Sequence, residues 1–139
     1  MTGIEKKLLI SDLCARLPYG VKVECNNKLY RFVGIQSFNI ITLVNDDVNN
    51  AFTTAGIKYI KPYLTPISKM TEEQRLELET ITGETIGFDA YALHDFTGYS
   101  EISLSRTMEI IQWCYENHID INGLIPMGLA NDATNLNIY

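Results

Sequence analysis

Histidine, cysteine and tryptophan are scarce in this chain of 139 residues, which holds two, three and one of them. Cys14, Cys25 and Cys114 are odd in number, far apart and in no Cys-x-x-Cys pair. That argues against a disulfide framework and against a zinc site, so reduced and mostly buried thiols are expected. Long apolar runs are missing as well. The N-terminal charges are followed only by Leu8-Leu9-Ile10, shorter than the roughly 7–15 residues of a signal-peptide core. The longest weakly polar stretch, 123–130, contains Pro126 and falls far short of the roughly 20 residues that span a bilayer. The sequence therefore predicts a soluble, cytoplasmic protein with no membrane segment.

The fingerprints of common chemistries are absent too. No G-x-G-x-x-G and no G-x-S-x-G occurs, which removes the dinucleotide and serine-hydrolase signatures. Gly123 and Gly128 have the outer spacing of a phosphate loop, but Leu129 and Ala130 stand where Lys and Ser or Thr contact phosphate and magnesium. The run Asn45-Asp46-Asp47-Val48-Asn49-Asn50 places oxygen-bearing residues as a calcium loop does. Asn50 and Gly56, however, occupy the positions that need Gly and Glu, so a structural turn is expected. His94-Asp95 and His118-x-Asp120 supply two imidazoles and two carboxylates, the only set that suggests a metal site or an acid–base pair. No His precedes position 94, against the pattern of metal-dependent His-Asp phosphohydrolases. His118 lies where a helix ends, and capping by its imidazolium is the expected role. Cys14 or Cys114 as a nucleophile beside a histidine has no neighbour in the sequence that would lower a thiol pKa. No catalytic residue, metal or cofactor is assigned.

What is present is a foldable chain, 46% hydrophobic and 20% charged, of the length of one domain covering 1–139. Leu8, Leu9, Leu13 and Leu17 have helical spacing over 5–17, and Pro18 and Gly20 stop that helix. Val21, Val23 and Cys25 then alternate with polar residues, Asn26-Asn27 suits a hairpin turn, and Leu29–Ile35 resumes the strand pattern. Ile40–Val44 reads as a third strand, and Ile57–Lys61 before Pro62 as a fourth. Thr71 with Gln74 has capping-box spacing, predicting a helix from 72 to 82, and the stripe Leu104, Met108, Ile111 and Tyr115 predicts another over 104–118. The stretch 83–102 has no steady period and is expected to be loop with at most one short strand. The expected fold is α+β: a small antiparallel β-meander or partly open barrel, an N-terminal helix and two helices in the C-terminal half.

Charge is divided unevenly. Residues 1–69 hold nine Lys and Arg against five Asp and Glu, a net of +4. Residues 70–139 hold two against twelve, a net of −10, and together these give the −6 of the whole chain. An acidic chain argues against a surface built to track nucleic acid. In the basic half, Lys58, Tyr59, Lys61 and Tyr63 interleave cations with aromatic rings. That pattern can stack a base and hold a phosphate, which makes these four the candidate ligand-binding residues for a nucleotide-like small molecule. The same residues are also ordinary for a strand edge, where Lys blunts pairing.

Three segments carry a family resemblance: Asp12-Leu13-Cys14-Ala15-Arg16-Leu17-Pro18-Tyr19-Gly20-Val21-Lys22-Val23, the run 61–73 that begins Lys61-Pro62-Tyr63-Leu64-Thr65-Pro66, and Trp113-Cys114-Tyr115-Glu116-Asn117-His118-Ile119-Asp120 with 123–130. Together they resemble a recurring family of small proteins from gut Bacteroidales and their phages and mobile elements. Relatives often carry an aromatic-arginine pair before the glycine of the last motif, where Ile121-Asn122 stands here. The resemblance implies a phage or mobile-element origin and no particular activity. Physically the segments read as architecture. Pro62, Pro66 and Thr71 make a stiff exit into a capped helix, and Trp113, Leu124, Ile125, Met127 and Leu129 form an apolar set expected to dock the last helix and the tail. The expected role is a non-enzymatic accessory protein that binds a host or phage protein, with sequestration of a nucleotide-like signal as the alternative. A homo-oligomer is compatible with the size of the chain, although no coiled-coil heptad supports it.

Overall fold

The computed structural model describes residues 1–37, 39–82 and 104–139. The chain packs as two compact units, Met1–Leu64 with Asn122–Tyr139, and Thr65–Ile121. The fold is α+β with an open sheet.

In the first unit, helix α1 (Gly3–Arg16) starts in a reciprocal capping box. The Thr2 hydroxyl accepts from the Glu5 N–H, and the Glu5 carboxylate accepts from the Thr2 N–H. A 3-10 turn at Leu17–Tyr19 closes it, and Gly20 takes the left-handed φ of 67° that the chain needs to enter the sheet. Six strands follow: β1 (Lys22–Cys25), β2 (Lys28–Ser37), β3 (Ile40–Asn45), β4 (Ala51–Gly56), β5 (Ile60–Leu64) and β6 (Asn131–Asp132). Asn26 and Asn27, at φ of 53° and 61°, form the predicted two-residue hairpin turn between β1 and β2. The sheet order is β4-β3-β2-β1-β5-β6, antiparallel except for the parallel β5–β6 pair.

Three details differ from the sequence expectation. Residues 57–59 form a 3-10 turn and not the start of a strand. Strand β5 runs through Pro62 to Leu64 and pairs with β1, so the meander is broken after β4. Strand β4 has no clear signal in the sequence because Ala51-Phe52-Thr53-Thr54-Ala55-Gly56 lies at the sheet edge, where its first four residues are exposed and only Ala55 packs against the core, so no apolar alternation is required.

Leu9 and Leu13 of α1 join Val21, Val23, Phe32, Leu43, Ile60 and Leu64 of the sheet region in one buried cluster. Each such side chain contributes roughly 1.5–3 kcal/mol by leaving water. The return segment adds Leu124, Leu129 and Ala130. Gly123 and Gly128 both have positive φ, and the bonds Gly128 N–H to Ile125 O (3.0 Å) and Leu129 N–H to Leu124 O (2.9 Å) turn the chain so that both leucines face inward. The glycine spacing that resembles a phosphate loop thus serves a packed turn.

In the second unit, α2 (Glu72–Thr82) has the predicted capping box: Thr71 Oγ1 accepts from the Gln74 N–H at 3.1 Å, and Gln74 Oε1 accepts from the Thr71 N–H at 3.0 Å. Helix α3 (Leu104–Glu116) ends in a Schellman motif. The Ile119 N–H bonds to Cys114 O (2.8 Å), the His118 N–H bonds to Tyr115 O (3.2 Å), and His118 takes a φ of 57°. Leu78, Ile110, Trp113, Cys114 and Ile119 form a second buried cluster. The apolar set expected to dock the tail is therefore split: Trp113 belongs to this second core, Leu124 and Leu129 to the first, and Met127 is 43% exposed. The expectations for 83–102 lie outside the described residues.

Candidate functional site

Among the four candidate ligand residues, Lys58 and Tyr59 lie on the 3-10 turn, and both are exposed. The Lys58 ammonium sits 4.9 Å from the centroid of the Tyr59 ring, so a cation already occupies the π-face that would stack a base. Lys61 and Tyr63 share the outer face of β5, since Ile60, Pro62 and Leu64 alternate inward. Lys61 stands opposite Glu24 across the β1–β5 pair. Tyr63 is half-buried, and its phenol pKa is raised first by that burial and then by the Glu24 carboxylate. Glu24 in turn accepts from Asn131 Nδ2 at 2.7 Å. Arg31 holds Asp46 through contacts of 3.1–3.3 Å with Lys22 beside them at 3.8 Å, and the Asp46 carboxyl is kept below its ordinary range chiefly by the Arg31 hydrogen bond. This pairing also accounts for the calcium-like loop, which turns β3 into β4 with Asn49 and Asn50 at positive φ.

Tyr139 straps this face. The Tyr139 hydroxyl donates to Tyr63 O at 2.7 Å and accepts from the Lys22 N–H at 2.9 Å. Partial desolvation of that hydroxyl, on a residue 52% exposed, pushes its pKa above the usual tyrosine value. Because the neutral phenol is the form the fold holds, its contribution is complete below about pH 10 and is lost as pH rises toward the raised value. Tyr139 is therefore expected to ionise above the ordinary tyrosine range when tyrosinate absorbance is followed, and Tyr139→Phe to remove that late phase at a cost of about 1 kcal/mol.

The buried stripe of α1 contains charges that hydrophobic periodicity did not reveal. Leu9, Asp12, Leu13 and Arg16 point inward, whereas Leu17 is 42% exposed. Arg16 Nε donates to Asp12 Oδ1 at 2.6 Å and Nη2 to Oδ2 at 3.1 Å, with both side chains fully buried. Asn122 Nδ2 reaches the same carboxylate at 2.8 Å. This joins the end of α1 to the point where the chain returns to the first unit.

Of the histidine set, His94 and Asp95 lie outside the described residues. His118 is buried, and its left-handed backbone closes the end of α3. Asp120 is buried, and its N–H bonds to Thr65 O. Among the described residues, no group of His, Cys, Asp and Glu is arranged to hold a metal ion. Cys25 and Cys114 are buried, with the Cys25 thiol pushed up by that burial, while Cys14 is exposed.

The second unit offers a different kind of surface. Helix α2 turns outward Glu73, Leu76, Glu77 and Thr80, a stripe at helical spacing with Leu76 51% exposed. Helix α3 turns outward Met108, at 62%, with Glu109, Gln112 and Glu116. Lys69, Arg75 and Arg106 are outnumbered by Glu72, Glu73, Glu77, Glu79, Glu109, Glu116 and Asp120 among the described residues of this unit. Arg75 is committed to Glu72 and to Glu79 at 2.6 Å. Trp113 Nε1 donates to Glu77 at 3.1 Å, which ties α3 to α2.

Among the described residues, no helix is long and apolar enough to cross a membrane. In comparisons with known proteins, no family model, no curated protein and no solved structure matches this chain.

Proposed function

We propose that this protein is a non-enzymatic accessory protein of a phage or mobile element, acting in the cytoplasm by binding a protein partner through the outward stripes of α2 and α3. The observation that carries the reading is the combination of exposed Leu76 and Met108 with flanking glutamates on two helices whose inner faces are already packed. A large apolar side chain held at half exposure among like charges suits a basic, amphipathic partner. The apolar residues supply binding energy, and the carboxylates supply steering and selection. The phage or mobile-element setting rests on the resemblance of the three segments named above.

Affinity capture from the native host tests this. The double variant Leu76→Lys/Met108→Lys should lose the partner, whereas Lys58→Ala/Lys61→Ala should keep it, and added salt should weaken capture because exposed charges are screened. Equal capture by the wild type and the double variant would remove the basis for the reading. Loss of binding only in the lysine variants would move the function to the β5 face and to a nucleotide-like ligand.

A further inference from the structure

The two ends of the sheet are unlike. Strand β6 is two residues long and ends in Asp132, a short and charged edge of the kind that resists pairing. Strand β4, at the other end, is six residues long and contains no Lys, Arg, Asp, Glu or Pro. Its register with β3 runs without a bulge from Ile40↔Gly56 to Asn45↔Ala51, whereas β2–β3 has two register shifts. Among the described residues, no bulge therefore bends this edge away from an incoming strand. The Ile57 N–H bonds to Asn39 O at 2.9 Å. In an antiparallel ladder the bonded positions alternate, so Phe52, Thr54 and Gly56 turn their backbone N–H and C=O groups to the open side.

We propose that the open edge of β4 pairs with β4 of a second copy of this chain, antiparallel about Thr54, joining two sheets across a two-fold axis. The sequence of the edge is self-complementary in that register. Phe52, 74% exposed, faces Gly56 of the other copy. There the Tyr59 ring lies 3.3 Å from where a Cβ would stand, so the exposed Phe52 and Tyr59 rings meet across the joint. The two-fold makes every contact occur twice.

This inference concerns the first unit alone and is independent of the α2–α3 reading. It is tested with the full-length chain by sedimentation or light scattering across a concentration series. The wild type should show a concentration-dependent monomer–dimer equilibrium, and hydrogen exchange at 52, 54 and 56 should slow as the dimer fills. Thr54 is exposed in the monomer, so Thr54→Lys should leave the circular dichroism unchanged. Like charges then oppose each other on the axis, which should raise the dissociation constant at least about tenfold. Thr54→Glu should do the same, and an equal mixture of the two variants should dimerise again. A wild type that stays monomeric, a Thr54→Lys variant that dimerises as the wild type does, or a mixture that fails to recover would each overturn the proposal.

Discussion

Asp12→Ala is expected to lower the unfolding free energy by about 3–5 kcal/mol, because it strands the Arg16 guanidinium in a site from which water is excluded. Both side chains are at 0% exposure, and the same carboxylate holds Asn122. The loss therefore removes the bidentate ion-pair contact of Arg16 and an anchor of the returning chain together. Taking charges out of water costs more than a single contact returns, so the network stabilises the fold only while it is complete. Asp12→Leu with Arg16→Met should consequently be much less damaging than either single change, with a non-additivity of at least 1 kcal/mol. Urea unfolding of the four proteins measures this cycle. Additive losses would mean that the two groups act separately and that the stripe tolerates a lone charge.

Trp113→Ala is expected to cost about 3–5 kcal/mol in the second unit. This ring is 7% exposed among Leu78, Ile110 and Ile119, and its indole N–H is used by Glu77. Trp113→Phe keeps most of the ring volume and drops the hydrogen bond, so its cost should be nearer 1 kcal/mol. Far-UV circular dichroism in urea separates the two variants. Equal losses would assign the stabilisation to the Glu77 bond and not to packing.

The sequence was most informative where a local signal acts alone. Thr71 with Gln74 set the start of α2, Asn26-Asn27 set a hairpin turn, and the stripe from Leu104 set α3. The cap and the turn depend on residues within one turn of each other, whereas the stripe places α3 but not its buried face, which is made by Ile110, Trp113 and Cys114 with Met108 outward. Long-range arrangement was less legible. Nothing near Pro62 indicates that β5 will lie against β1, because strand order is decided by what the buried faces of distant segments can cover. The buried charges of α1 were hidden because hydrophobic periodicity is blind to an ion pair four residues apart on the core face, and Leu17 was assigned to that stripe in their place. His118 was recognised as a helix end by position, while its left-handed backbone follows from the Schellman closure at Ile119. The interleaved Lys58, Tyr59, Lys61 and Tyr63 divide between a turn and a strand face. The acidic surface follows from the charge count in outline, but only the packing of Leu78 and Ile110 shows which sides of α2 and α3 remain outward.

Partner binding is the central claim, and native mass spectrometry of the protein isolated from its own host tests it most directly. The account predicts a complex with a second, basic protein that dissociates in salt and is missing when Leu76 and Met108 are both lysine. A chain that instead carries a small-molecule mass, lost on substitution of Lys58 and Lys61, would contradict it and place the function on the sheet.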